Sequence, residues 1–223
     1  YTIVQISDLH CKNFGKNQSE LISKIKAAKP DMIALTGDIV DEDHDSISSV
    51  EDLLKGIKDL APIYFVTGNH ELTSLAATQY QELLALFQKY GVTDLDNDSV
   101  KLKKGGQSIT LYGRQYFSQY LTDSLPIASD KDFDILLYHG SDNFKEIAPY
   151  HYDLILSGHA HGGIVRLPIW GGIFGNDGTF FPEYAGGEYT IGDATLISSR
   201  GLGDASIPRF NNPPELVVIK LNP

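Results

Sequence analysis

LILSGHAHGG, residues 154–163, reads as a buried strand that runs out into a turn. Its apolar start is closed by Ser157-Gly158, and a glycine after an apolar run marks the end of an element. Two histidines, His159 and His161, then stand one residue apart at that strand end. Two imidazoles so placed are unusual in a core and call for partners from elsewhere in the chain.

Outward from this stretch the same punctuation recurs. TIVQI (2–6) runs out to Asp8 and His10, MIALT (32–36) to Asp38, PIYFVT (62–67) to Asn69 and His70, and DILLY (134–138) to His139. Apolar spacing predicts a helix after each of the first three, over about 20–29 with Asn17 or Ser19 as cap and Pro30 as stop, 46–60, and 74–90. Strand, loop and helix in alternation argue for a mainly parallel sheet covered by helices. Two short strands around KKGGQ (103–107) predict a hairpin, 114–129 reads mostly as loop, and a short helix is expected over 143–148. Strands over 188–191 and 194–199, joined by Gly192-Asp193, and a last strand over 215–221 complete the chain. The Gly- and aromatic-rich stretch 162–187 lacks periodicity and is predicted to be a functional loop. Its aromatics, in LPIWGGIFG (167–175) and FFPEY (180–184), are expected to pack beneath that loop; the alternative is an apolar wall for a substrate's organic part. With no repeat or linker, one domain over residues 1–223 is expected.

The net charge of −11 argues against long nucleic acids and anionic membranes, both of which need basic patches. It leaves room for a phosphate ester where a local cation overrides the global field. Cys11 is the only cysteine, which excludes an internal disulfide and a thiolate cage for zinc. No apolar run approaches the ~20 residues needed to cross a bilayer. The chain opens at Tyr1, without Met, directly on an apolar strand, which reads as a trimmed or mature start and says little about targeting segments of the full-length protein.

Residues delivered by the carboxyl ends of parallel strands converge on one crevice. Here they supply carboxylates, imidazoles and one carboxamide, a donor set suited to Mn, Fe or Zn, with Ni also accommodated. Seven or so such groups exceed the needs of one tetrahedral ion, and two ions sharing a carboxylate account for them better.

SDLH (7–10), GDIVD (37–41), GNHE (68–71), YHG (138–140) and SGHAHGG (157–163) occur in that order and resemble the signature blocks of the calcineurin-like metallophosphoesterase superfamily. SRGLG (199–203) and PRFNNPPELVVIKL (208–221) further resemble a bacterial subgroup of membrane-associated or exported members. The resemblance implies an α/β fold, a four-layer α/β/β/α sandwich of two packed mixed β-sheets with helices outside. It assigns Asp8, His10, Asp38 and His161 to one metal and Asp38, Asn69, His139 and His159 to the other, with Asp38 bridging. His70 becomes the proton donor or transition-state stabiliser above the site. The implied activity is hydrolysis of a small phosphorylated substrate, by in-line attack on phosphorus of a hydroxide bridging two divalent ions. A pyrophosphatase or phosphodiesterase acting on a nucleotide or lipid-linked substrate is the alternative, and a non-catalytic metal-binding module the rival from another class. By the subgroup resemblance alone, an association with the membrane or cell envelope is expected.

Asp41 and Glu71 are candidates for orienting histidines. Arg200 and Arg209 are candidates for binding substrate phosphate, with structural salt bridges as the competing role. Cys11 is expected to be an inert thiol pointing away from the site.

Overall fold

Each strand that carries a candidate site residue is buried on both faces, which explains its continuous apolar run. The computed structural model of the chain describes residues 1–73, 76–116, 121, 125–129, 132–175, 178–204 and 208–222. β1 (Thr2–Ile6), β2 (Met32–Thr36), β3 (Ile63–Val66) and β4 (Val92–Asp94) run parallel in the first sheet. The second sheet begins with the hairpin β5 (Ser99–Lys104) and β6 (Gln107–Arg114). It continues through β7 (Phe133–Gly140) and β8 (Leu154–Gly158). The two short strands β9 (Val165–Leu167) and β10 (Gly171–Phe174) form a separate antiparallel hairpin. β11 (Gly187–Ile191) and β12 (Ala194–Ser198) complete the second sheet, in the order β11-β12-β8-β7-β6-β5. β13 (Val217–Lys220) returns to pair antiparallel with β1. Each sheet is therefore mixed, a parallel block with one antiparallel edge in the first (β13) and two in the second (β11 and β5).

The strand period of two distributes side chains between layers. Along β2, Met32 and Ala34 face the other sheet, while Ile33 and Leu35 face the helices. Along β7, Ile135 and Leu137 face inward, while Leu136 and Tyr138 face outward. Helices α1 (Ser19–Ala28), α2 (Ser48–Ile57) and α3 (Ala77–Tyr90) cover the first sheet through Leu21, Ile25, Val50, Leu53, Leu54, Leu83 and Phe87. Among the described residues, the outer layer on the second sheet comprises the single-turn helix α4 (Phe144–Ile147), flanked by 3-10 turns at Ser141–Asn143 and Ala148–Tyr150, with Tyr152 and Tyr184 beside it. The expected four-layer α/β/β/α sandwich is the observed architecture. The sheets are also joined by one buried amide: Gln5 Nε2 donates to Thr36 Oγ1 (3.0 Å) and to the Ser157 carbonyl (2.9 Å).

Three local expectations need correction. Neither Asn17 nor Ser19 caps α1, because the chain enters it through two left-handed residues, Asn17 and Gln18. The Gln18 side chain instead ties that entry, accepting from Phe14 N (2.9 Å) and donating to the Lys12 carbonyl (2.7 Å). The stretch 162–187 is not all loop, since it contains the β9–β10 hairpin, whose short glycine-bearing strands show no alternation. Its aromatics are not packed away either: Trp170, Phe180 and Phe181 are exposed, and only Tyr184 is buried. Much of 114–129 lies outside the described residues.

Candidate metal centre

The strand ends do converge. Asp8 and His10 follow β1, Asp38 follows β2, and Asn69 and His70 follow β3, all from the first sheet. His139 near the end of β7, and His159 and His161 after β8, come from the second. Asp8, His10, Asp38, His139 and His161 are buried, while Asn69, His70 and His159 are partly exposed to the crevice. Five of these, Asp8, His10, Asp38, His159 and His161, have φ between 46° and 71°, in the left-handed region. Non-glycine residues seldom sit there, and such strain concentrates at functional sites. The turns are held close together: a Cβ on Gly68 would lie 2.2 Å from Asp38 Oδ1, and one on Gly158 would meet Ser7 Oγ at 1.9 Å.

Backbone N–H groups fix one oxygen of each aspartate. Asp8 Oδ1 accepts from His159 N (3.0 Å), and Asp38 Oδ1 accepts from His70 N (2.9 Å). The other oxygen of each, Oδ2, is buried without a hydrogen-bond partner, as are Asn69 Oδ1, His139 Nε2 and His159 Nδ1. Buried polar atoms are nearly always satisfied, and Asp38 Oδ2 and His139 Nε2 have only their mutual approach at 3.0 Å, so five such atoms in one place fit a bound cation that accepts lone pairs. The imidazoles are set for the same task. His139 Nδ1 donates to the Thr36 carbonyl (2.7 Å), which leaves Nε2 3.0 Å from Asp38 Oδ2. His10 Nε2 and His161 Nε2 face each other at 3.2 Å, and His161 Nε2 is 3.4 Å from Asp8 Oδ1. Asp8, His10, Asp38 and His161 form one cluster of converging donor atoms, and Asp38, His139 and His159 form another, with Asp38 in both.

Without an ion between them, the carboxylates and imidazoles titrate against one another. Burial favours the neutral acid of Asp38, but the charges of His139, His10 and His70 outweigh it and hold the carboxyl far below the usual range. Burial opposes protonation of His139, yet the neighbouring Asp38 and Asp8 raise its affinity for a proton. Burial lowers His161 to about 4, assisted by His10 and Arg209, so that ring is neutral, as a ligand must be. His159 is lowered by burial and by His139.

Among the remaining candidates, Asp41 does orient a histidine: its Oδ2 lies 3.4 Å from His10 Nδ1 and its Oδ1 2.7 Å from His44 Nδ1. Burial raises Asp41, but these two histidines outweigh it and bring it to about 2. Glu71 orients no histidine. Its carboxylate accepts four backbone N–H groups, from Asp38 (2.9 Å), Ile39 (2.7 Å), Val40 (3.2 Å) and Gly68 (2.7 Å). A carboxylate with four oxygen lone pairs suits the splayed amides of two adjoining turns better than any ring nitrogen does. Arg200 pairs with Glu215 (2.8 Å). Arg209 is spent on the carbonyls of Arg200 (2.7 Å), Gly203 (2.8 Å) and His161 (3.3 Å). Arg209 also approaches His161 Nδ1 (3.2 Å) and so braces the turn that carries that histidine. Cys11 is buried and its thiol is pushed up to about 12 by burial and by Asp41, so it is inert. Sequence reasoning missed Glu42, whose Oε2 accepts from His70 Nδ1 at 2.7 Å. Its signal was only the acidic run after GDIVD.

A two-sheet α/β sandwich with a crevice of unsatisfied carboxylate and imidazole donors defines a divalent-metal hydrolase. The calcineurin-like phosphoesterase family model matches residues 1–163, and the chain belongs to that family. It is a metal-dependent phosphoester hydrolase of the dinuclear type. The chain is 30% identical to the uncharacterized metallophosphoesterase YkuE of Bacillus subtilis, covering 99% of this chain and 79% of that protein. It is 26% identical to the phosphodiesterase YaeI of Escherichia coli, covering 99% and 82%. Among solved structures, the sulfate thiohydrolase SoxB of Thermus thermophilus superposes with a TM-score of 0.56 at 14% identity. That match covers 90% of this chain and 51% of SoxB, and supports the fold alone. Among the described residues no helix is long and apolar enough to cross a membrane.

Proposed function

We propose that the chain hydrolyses phosphodiesters at a pair of divalent ions, one held by Asp8, His10, Asp38 and His161 and the other by Asp38, Asn69, His139 and His159. The observation that carries the assignment is the set of buried donor atoms without partners, Asp8 Oδ2, Asp38 Oδ2, Asn69 Oδ1, His139 Nε2 and His159 Nδ1. Oxygen and imidazole donors without thiolate favour Mn, Fe or Zn. When bound, such ions supply an activated water and neutralise phosphoryl charge.

The chain's own residues do the rest. Asp38 belongs to both clusters, so its two oxygens set the spacing of the half-sites. His70 stands edge-on to His10, ring centroids 4.8 Å apart, on the wall of a cavity of about 350 Å³ that also reaches His10 and His161. Its Nδ1 bond to Glu42 orients the ring and leaves Nε2 for the leaving-group oxygen. The preference for diesters follows from the nearby cations. Arg200 is paired with Glu215, Arg209 with backbone carbonyls and Lys12 on the cavity wall with Asp204, so these three cations near the cluster are already engaged, which favours a monoanionic diester over a dianionic monoester. The relative YaeI, called a phosphodiesterase, supports the same reading.

The test combines metal analysis with hydrolysis of phosphomonoesters, phosphodiesters and pyrophosphates in Mn, Fe, Zn and Ni. Asp38→Asn and His139→Ala are each expected to abolish activity, and His70→Gln to lower turnover by about 10²–10⁴-fold with metal content retained. Undiminished hydrolysis by the His139 variant overturns the two-metal assignment. Bound metal without turnover on any substrate leaves the metal-binding module.

A further inference from the structure

Two cavities flank the metal cluster, and their walls differ. The one over His10 is polar and carries Lys12, Asp43 and His44. The other, of about 320 Å³, opens at His159 and is walled by Phe180, Phe181, Pro182 and Tyr184. That volume lies at the lower end of ordinary ligand pockets.

Three observations bear on what enters it. Nine large apolar residues are exposed among the described residues, and six of them, Leu167, Ile169, Trp170, Phe180, Phe181 and Phe210, lie on one unit built around the β9–β10 hairpin. Phe180 bridges to Phe174 on one side of that hairpin and Phe210 to Val165 on the other. Single exposed apolar side chains are ordinary, but such a cluster marks a binding surface. Second, Ile169 has φ 75° and Phe181 φ 55°. A β-branched residue held left-handed, with its side chain fully in solvent, is strain with no packing return. Third, the only carboxylates on the wall, Asp142 and Glu183, add negative charge beside the site, with Glu183 countered at its outer edge by Lys145 (2.7 Å). A second phosphate there would meet like charge at close range.

We propose that the cavity between His159 and Phe180–Phe181 is the subsite for an uncharged, apolar or aromatic organic group esterified to the phosphorus. The substrate class is thus a phosphodiester with at least one apolar alcohol or phenol, in place of a pyrophosphate or a second charged group. This specificity rests on the phosphoester hydrolase reading. The experiment separates the two by measuring binding and turnover independently.

Diphenyl phosphate and dimethyl phosphate are both monoanions and differ only in their organic groups. Each is titrated calorimetrically into the Mn-loaded protein, with the emission of Trp170, the only tryptophan, as a second signal. Bis(p-nitrophenyl) phosphate hydrolysis is followed separately. Wild type is expected to bind diphenyl phosphate at least tenfold more tightly than dimethyl phosphate. The Phe180→Ala/Phe181→Ala variant is expected to reduce that ratio to within about twofold. Both side chains are exposed, so the variant is expected to keep the wild-type urea midpoint. Equal affinities, no measurable diphenyl phosphate binding, or a ratio that survives in the double variant each overturn the subsite, even if hydrolysis is present. A ratio that collapses as expected in a protein without hydrolysis keeps the subsite and overturns the hydrolase reading.

Discussion

Replacing Glu71 is expected to damage the metal centre more than its distance from the chemistry suggests. Its Oε1 accepts Ile39 N and Val40 N, and its Oε2 accepts Asp38 N and Gly68 N. These four amides belong to the two turns that present Asp38 and Asn69. In Glu71→Gln an NH2 replaces one oxygen, so two buried donors lose their acceptor and face another donor. At about 1–3 kcal/mol for each stranded group, the cost is about 2–6 kcal/mol. Glu71→Ala strands all four, about 4–12 kcal/mol, which approaches the whole stability of a typical domain. Urea unfolding of the metal-free protein, held in chelator, isolates this effect from metal linkage. Metal titration of the Gln variant is expected to show an affinity lowered about 10–100-fold, the usual result of removing support behind ligands. A metal-free Gln variant with the wild-type urea midpoint refutes the reasoning. It would mean that the turns hold their shape without the carboxylate.

Glu42→Gln is expected to keep metal content and lower turnover about tenfold, because His70 loses the partner that fixes its ring; kcat measured across pH, with metal analysis alongside, checks this. Asp96 gives a pH effect away from the metals. Burial raises its carboxyl from 3.8 to about 6 against the hydrogen bonds from Thr67 N (3.0 Å) and Thr67 Oγ1 (2.8 Å). Between these values the folded state keeps a proton that the unfolded state has released, so stability falls as pH rises through this window. After allowance for partial exposure the loss is about 1–2 kcal/mol, and Asp96→Asn is expected to remove that part of the slope in urea midpoints of the metal-free protein between pH 4 and 7.

The strand ends were legible because two physical signals coincide there. A strand buried on both faces, such as β2 or β8, must be continuously apolar, and a donor directly after it is placed by topology rather than by side-chain detail. Five strands in two sheets thereby announced one crevice. What stayed hidden depends on contacts that leave no periodic trace. The role of Glu71 arises from four amides on two turns, and a carboxylate after a strand has the same letter whether it faces a ring or a backbone. The pairing of Glu42 with His70 spans 28 positions and has no spacing rule. For the arginines the sequence left phosphate binding and structural salt bridges both open, because guanidinium serves carboxylates and carbonyls as readily as phosphate; in the structure Arg200 pairs with Glu215 and Arg209 with carbonyls. β4 and the β9–β10 hairpin were missed because three or four residues, some of them glycine, are too few to show alternation.

The metal donors come in two sets, one from each sheet, and between those sheets lies an apolar layer with a single buried amide, Gln5, tying them near the crevice. In the proposed assignment, ions held jointly by Asp38 and His139 would act as rivets across the seam. Chelation would leave that end to the hydrogen bonds of Gln5, His139 with Thr36 and His159 with Asp8, and loading would make the relative position of the sheets part of the binding free energy. The protein's thermal resistance thus becomes a gauge of metal supply, rising with free ion concentration by mass action. A substitution deep in the seam, far from any ligand, acts on catalysis by changing how far apart the two halves of the centre are held.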